Sequence, residues 1–236
     1  MYKLKDFKWK HFEPEIILWG VRWYCRYAIS YRDLKEMMEE RGLEIFHTTP
    51  YRWVQEYAPE IDKRTRPYLK QSNDSYRVDE TYVKVKGQWK YLYRAVDSKG
   101  NTLDFLLTAK RDKKAAKRFF KKLLRQPHNA IPRVISVDKN PAYPIAFDEL
   151  KAEGTIPKAC RFRQKKYLNN IVEQSHRFIK RLMKNNQWFQ YFKTAKNTIA
   201  GYEIMNMIRR GQVKLVAQGD VLAQKNFVES LFGIGV

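Results

Sequence analysis

Cysteine is nearly missing from this chain of 236 residues. Cys25 and Cys160 stand far apart, with no CxxC pair and no histidine at ligand spacing, which removes a zinc finger and a disulfide framework from consideration. Long apolar runs are missing too, because Arg or Lys interrupts each of them, so no membrane span is expected. The opening MYKLKDFKWKHF has no apolar core of a secretory signal. Internal repeats and low-complexity tracts are absent. These gaps lead to the expectation of a soluble, cytoplasmic protein with reduced thiols.

Negative charge is also scarce. Against 47 Lys plus Arg there are 25 Asp plus Glu, a net charge of +22. Such an excess repels itself unless an anionic partner neutralises it, and double-stranded DNA is the partner expected. An RNA binder of ribosomal type or a merely solvated basic surface is the blander alternative. With 44% hydrophobic and 14% aromatic residues the chain reads as folded, not as a charged tail. Its length suits one good core plus a small satellite domain.

Three helices open the chain. PEIILWGVRWYCRY places Ile17, Leu18, Val21, Tyr24 and Cys25 on one helical face. Ser30 caps a second helix, with Asp33 favouring its first turn and Gly42 ending it. A third begins at HTTPYRWVQEY, with Thr49 as cap and Pro50 in the first turn. Together they form a helix-turn-helix candidate, in which Tyr51, Arg52 and Gln55 would meet DNA while Trp53 and Val54 face the core. The charged, proline-containing stretch from Ala58 to Ser75 reads as linker.

A β-meander follows in YRVDETYVKVKG, QWKYLYRAVDSKG and NTLDFLLTAK. Next come a helix with a basic face in DKKAAKRFFKKLLRQ, a buried strand RVISV, a helix opened by Pro144, a short strand in IPKACRFRQ, a long helix from Tyr167 to about Lys184 and another near Lys193 to Arg210. The order is that of a mixed sheet with flanking helices, an α/β architecture. The expected division is 1–66 helix-turn-helix, 67–75 linker, 76–212 catalytic and 213–236 irregular tail.

Three acids stand where a site is expected. Asp79 lies on the apolar side of the first strand, with Thr81, Val83 and Val85, while Glu80 points the other way. Asp138 ends the buried strand RVISV, where open α/β sheets place their ligands. Glu173 lies on the long helix among His176, Arg177, Lys180 and Lys184, the cations being candidates for DNA phosphates and His176 taking a secondary role. Asp138 and Glu173 are separated by 34 residues. Carboxylates suit Mg²⁺, and such a set could run an in-line displacement at phosphorus. Asp97 is better assigned to turn formation.

VDETYVKVKGQWKYLYRAVDSKG, VDKNPAY and KYLNNIVEQSHRFIK, following ISYRDLKEMMEERG and HTTPYRWVQEYAPE, resemble the bacterial DDE transposases of insertion-sequence family six. The likeness runs from about Phe12 to about Gln212. It implies a ribonuclease-H-like core with Asp79, Asp138 and Glu173 as catalytic ligands of Mg²⁺, which Mn²⁺ can replace. It implies that Lys180 contacts DNA, and that the chain binds terminal inverted repeats and joins them to target DNA as a homodimer or larger assembly. The chain departs from the family pattern at Val137, where Thr or Ser is usual, at Ser175, where Asp is common, and at Gln187–Tyr191; none of these removes a ligand. A nuclease on the same core, or a DNA-binding regulator without catalysis, are the alternatives.

Overall fold

The computed structural model describes residues 5–164, 170–184 and 189–235. They fold as two compact units, one holding the chain up to residue 69 together with everything from 181 onward, the other holding 70–180. This cuts the chain differently from the expected 1–66, 67–75, 76–212 and 213–236.

In the first unit, α1 (Pro14–Arg26), α2 (Tyr31–Glu39) and α3 (Thr48–Thr65) form, α3 starting at Thr48 with His47 in the cap position, so that Thr49 lies within the helix and does not cap it. Ser30 and Asp33 make a reciprocal capping box at the start of α2. Trp53 and Val54 are buried. The supposed linker is the second half of α3, which continues through Pro59 to Thr65 and buries Ala58 and Ile61. Proline lacks the N–H that would bond the carbonyl of residue 55. Here the Asn197 side-chain amide donates to that carbonyl at 3.1 Å instead, so the helix carries its proline with the freed acceptor satisfied.

Asn197 belongs to α7 (Phe192–Arg209), which packs on α1 and α3. It is buried on nearly every side, the composition of a central helix. Gly201 permits the close approach: a Cβ there would lie 2.5 Å from Cys25 Sγ and 2.8 Å from Ala58 Cβ. The tail is not irregular either, because α8 (Val221–Ser230) is capped by Asp220 and packs on α1. Its buried face includes Gln224 and Glu229, with Gln224 accepting from Arg26 at 3.0 Å, so no apolar stripe marks it in the sequence.

The second unit carries a five-stranded sheet in the order β3-β2-β1-β4-β5, with β1 (Ser75–Val85), β2 (Gln88–Asp97) and β3 (Thr102–Thr108) antiparallel, and β4 (Val134–Val137) and β5 (Arg161–Gln164) parallel to β1. This mixed order is that of a ribonuclease-H-like core. Lys86 and Gly87 both take positive φ, the two-residue hairpin that suits strand twist. Asp97 accepts from the amides of Lys99 and Asn101, the turn role expected of it. Helices α4 (Lys113–Leu124) and α5 (Ala142–Ala152) cover one face of the sheet, burying Phe119, Phe120, Phe147 and Leu150 with Tyr76, Val78 and Val137. α5 starts before Pro144 because Asn140 accepts from the amide of Ala142 and opens the helix earlier. α6 (Asn170–Lys184) follows; the expected start at Tyr167 lies outside the described residues. Among the described residues no helix is long and apolar enough to cross a membrane.

Candidate active site

Register brings the two aspartates together. β1 and β4 run parallel with Val78 opposite Val137, so Asp79 and Asp138 are the next residues of neighbouring strands, side by side where the pairing ends. Asp138 is locked by an Asx turn, its Oδ1 accepting from the Asn140 amide at 3.0 Å. Its side chain is one-third exposed, whereas that of Asp79 is mostly covered.

The carboxylate of Glu80 stands against both. Oxygens of Asp79, Glu80 and Asp138 all lie within 4.8 Å of one another. Although Glu80 alternates with Asp79 along the strand, its longer side chain reaches beneath the loop that follows Asp138. There it accepts from Asn140 Nδ2 at 2.8 Å, from the Tyr143 hydroxyl and from Arg111 Nε. It is 2% exposed, so its charge is held by donors rather than by water. Strand alternation sets Glu80 aside, and nothing local marks Arg111, Asn140 or Tyr143; the signal in the sequence is the acid beside Asp79 and the Asn-Pro after Asp138.

Glu173 is exposed on α6 and close enough to act electrostatically on Asp79. Burial, followed by the neighbouring charges of Glu80, Asp138 and Glu173, raises the Asp79 carboxyl from 3.8 to about 7, while the hydrogen bond from the Glu80 amide opposes the rise. Crowded carboxylates with only oxygen donors fit a hard divalent cation, which would relieve their repulsion.

His176 is not on the exposed face. It is 3% exposed, lying one helical turn from Val172 and in line with Ile179, both buried, so it belongs to the inward stripe of α6 and not with Arg177 and Lys180. Burial, then Arg94 and Lys180, lower its pKa to about 3, so the ring is neutral. Its Nδ1 is 3.8 Å from Asp79 Oδ2, too long for a hydrogen bond, and Nε2 is buried with no partner among the described residues. It backs Asp79 without being able to reach DNA.

Arg177 and Lys180 are exposed as expected. Ser175 accepts from the buried Arg94 at 2.6 Å and donates to the Val172 carbonyl, tying α6 to β2, while Val137 is part of the core. Gln187 and Trp188 of the third departure lie outside the described residues.

On α3, Tyr51 and Arg52 are exposed, with Tyr51 set edge-on to Tyr31. Gln55 departs from expectation. Its amide donates to Thr198 Oγ1 on α7 at 2.9 Å, so it is engaged within the helical unit.

Comparison with known proteins identifies the family of the chain. A family model described as a DDE domain matches residues 73–212. The transposase for the insertion sequence-like element IS431mec of Staphylococcus aureus is 41% identical over 197 residues, covering 84% of this chain and 85% of that protein. The transposase for IS257 in transposon Tn4003, also from Staphylococcus aureus, matches to the same extent. Among solved structures, the HTLV-2 integrase catalytic core domain in its dimeric form is 18% identical, covers 63% of this chain and 93% of that one, and has a TM-score of 0.44. The chain belongs to the DDE transposases of insertion-sequence family six, and is an insertion-sequence transposase with a polynucleotidyl-transferase core.

Proposed function

We propose that the protein binds the terminal inverted repeats of its element, cleaves a strand at each end and joins the freed 3′-hydroxyl to target DNA, acting in the cytoplasm as a dimer or larger assembly. The observation that carries the catalytic part is the side-by-side position of Asp79 and Asp138 just beyond the last parallel pair of β1 and β4, with Glu173 in electrostatic range.

Asp79 and Asp138 would hold Mg²⁺, with Glu173 completing the set; Mn²⁺, also a hard cation, would serve in its place. Bound divalent ions supply Lewis-acid stabilisation of the attacking and leaving oxygens of an in-line displacement. Asp79, whose carboxyl is raised to about 7, would release its proton to solvent on holding the cation. The neutral ring of His176 covers the inner side of Asp79 and keeps water from it. Arg177 and Lys180, exposed beyond Glu173 on the same helix, hold phosphates flanking the cut. At the N-terminal end of α3, Tyr51 and Arg52 meet the end sequence, as the leading residues of a recognition helix do. The groove between α4 and β3, lined by Lys114, Lys117, Arg118, Lys121, Lys122 and Arg125, offers a further path for duplex backbone.

The test is strand transfer with a pre-cleaved end duplex and a supercoiled target. The wild-type protein is expected to transfer with Mg²⁺, and Asp138→Asn to bind the end but not transfer it. Transfer at near-normal rate by Asp138→Asn overturns the assignment, and cutting without joining makes the protein a nuclease.

A further inference from the structure

Beside the two aspartates stands one cation that nothing above employs. Arg111 lies in the short connection between β3 and α4, pinned on both sides. Thr108 Oγ1 donates to the Lys110 carbonyl at 2.8 Å before it, and the Asp112 side chain caps α4 at the Ala115 amide, also at 2.8 Å, after it. From that fixed point its Nε donates to Glu80, and its Nη2 comes to 3.6 Å from Asp138 Oδ2. The first is a hydrogen bond; the second is longer than one and leaves that edge of the guanidinium uncommitted. About a third of the Arg111 side chain is open to solvent, whereas the Glu80 carboxylate behind it is closed off.

Burying a carboxylate is costly unless donors surround it, and Glu80 has three sources of them: Arg111, Asn140 and Tyr143. Asn140 also supplies the amide that orients Asp138, and its own carbonyl accepts from Gln164 on β5. Glu80 thus sits at a junction of β1, the loop before α4 and the loop after β4. A buried anion fixed from three sides holds an arginine in one orientation at the mouth of the site.

We infer that Arg111 is a catalytic residue whose guanidinium binds a non-bridging oxygen of the phosphodiester held at Asp79 and Asp138, and that Glu80 is the positioning residue that aims it. This inference rests on the transposition chemistry proposed above. Phosphoryl transfer spreads negative charge over the equatorial oxygens, and the planar guanidinium fork matches them. A cation already oriented by Glu80 does not have to reorganise as that charge develops, the condition under which such a group lowers a barrier most. Without the Glu80 anchor the nearest anion for Arg111 would be Asp138, and the guanidinium would pair with that carboxylate instead of with substrate.

The experiment measures strand transfer of a pre-cleaved end at saturating Mg²⁺ and DNA, alongside end-duplex affinity and the thermal midpoint. Arg111→Ala is expected to lower the transfer rate by about 10²- to 10³-fold, the range for removing one transition-state donor, with end affinity changed by much less. Added methylguanidinium at a sub-denaturing concentration should restore part of the rate to Arg111→Ala and none to Asp138→Asn. Glu80→Gln, which keeps a side chain able to accept from Asn140 and Tyr143, should lower the rate with unchanged end affinity, and methylguanidinium should not rescue it. Should Arg111→Ala prove too unstable, the double variant Arg111→Met with Glu80→Gln removes both charges together and should show the same loss. A rate within about threefold of wild type in folded Arg111→Ala, or in the double variant, overturns the inference, since a functional donor is worth far more. So does a loss that methylguanidinium leaves unchanged. Failure of the wild-type protein to transfer strands counts instead against the functional reading on which the inference stands.

Discussion

The carboxyl of Asp79 makes the site sensitive to acidity in a defined direction. Its folded value of about 7 lies above the ordinary 3.8, so the stability it contributes to the metal-free protein is complete below 3.8 and is lost as pH rises through about 7. A cation on the ionised carboxylate reverses that loss. Thermal midpoints at pH 6 and pH 8 should therefore separate without Mg²⁺ and converge with it, and calorimetry in buffers of different ionisation enthalpy should register proton release on Mg²⁺ binding near pH 7. Asp79→Asn should abolish both effects. Ser175 invites a different test. Because its hydroxyl accepts from the buried Arg94, Ser175→Ala should cost about 1–3 kcal/mol of unfolding free energy, the price of a buried donor left short of a partner, as read by chemical denaturation. No change there would mean that Arg94 is served by its other contacts.

At the scale of elements, α7 is the member whose tolerance is narrowest. Gly201 faces Cys25 on α1 and Ala58 on α3 at distances no methyl group fits, and both neighbours are themselves buried. Gly201→Ala should therefore push the helices apart and destabilise the protein by about 1–3 kcal/mol, the usual cost of overpacking, lowering the denaturation midpoint without changing the helix content of what remains folded. A midpoint equal to that of wild type would show that α7 moves freely. On α6, Lys180→Ala should reduce transfer with Mg²⁺ binding retained, and Lys180→Arg should keep much of the rate; equal rates in all three proteins would return that exposed face to plain solvation.

For the molecule as a whole, the N-terminal helices are completed by the C-terminal ones. A fragment ending near Ser72 keeps α1 to α3 but loses α7, and with it the cover over Cys25 and Ala58 and the donor to the Gln55 carbonyl. Such a fragment should lack a cooperative thermal transition by circular dichroism, so end binding has to be measured on the full chain. There, replacing Lys114, Arg118 and Arg125 with Gln should flatten the dependence of duplex affinity on salt, each lost phosphate contact removing about 0.9 from the slope of log K against log salt. An unchanged slope would remove the α4 groove from the path of the DNA.

Much was legible in the residues themselves, because local chemistry decides it. The Ser30 and Asp33 capping box, the Lys86-Gly87 hairpin, the apolar run of β4 and the placement of Asp79 and Asp138 at boundaries are each written within a few consecutive positions. What could not be read depended on partners far along the chain. Pro59 looks like a helix breaker until Asn197 takes up the carbonyl it leaves free. α8 hides because its inner face mixes Gln224 and Glu229 with Val228, so that no apolar stripe marks it, and the amide of Gln55 looks available until Thr198, far along the chain, accepts from it. His176 shares a helical neighbourhood with both Glu173 and Val172, and only packing decides which stripe it joins. Sequence determined the two aspartates of the site, one within the first strand and one just past the buried strand, and the order of the elements around them; the fold alone decided which side chains surround those acids, since a buried charge such as Glu80 finds its donors in space and not in sequence.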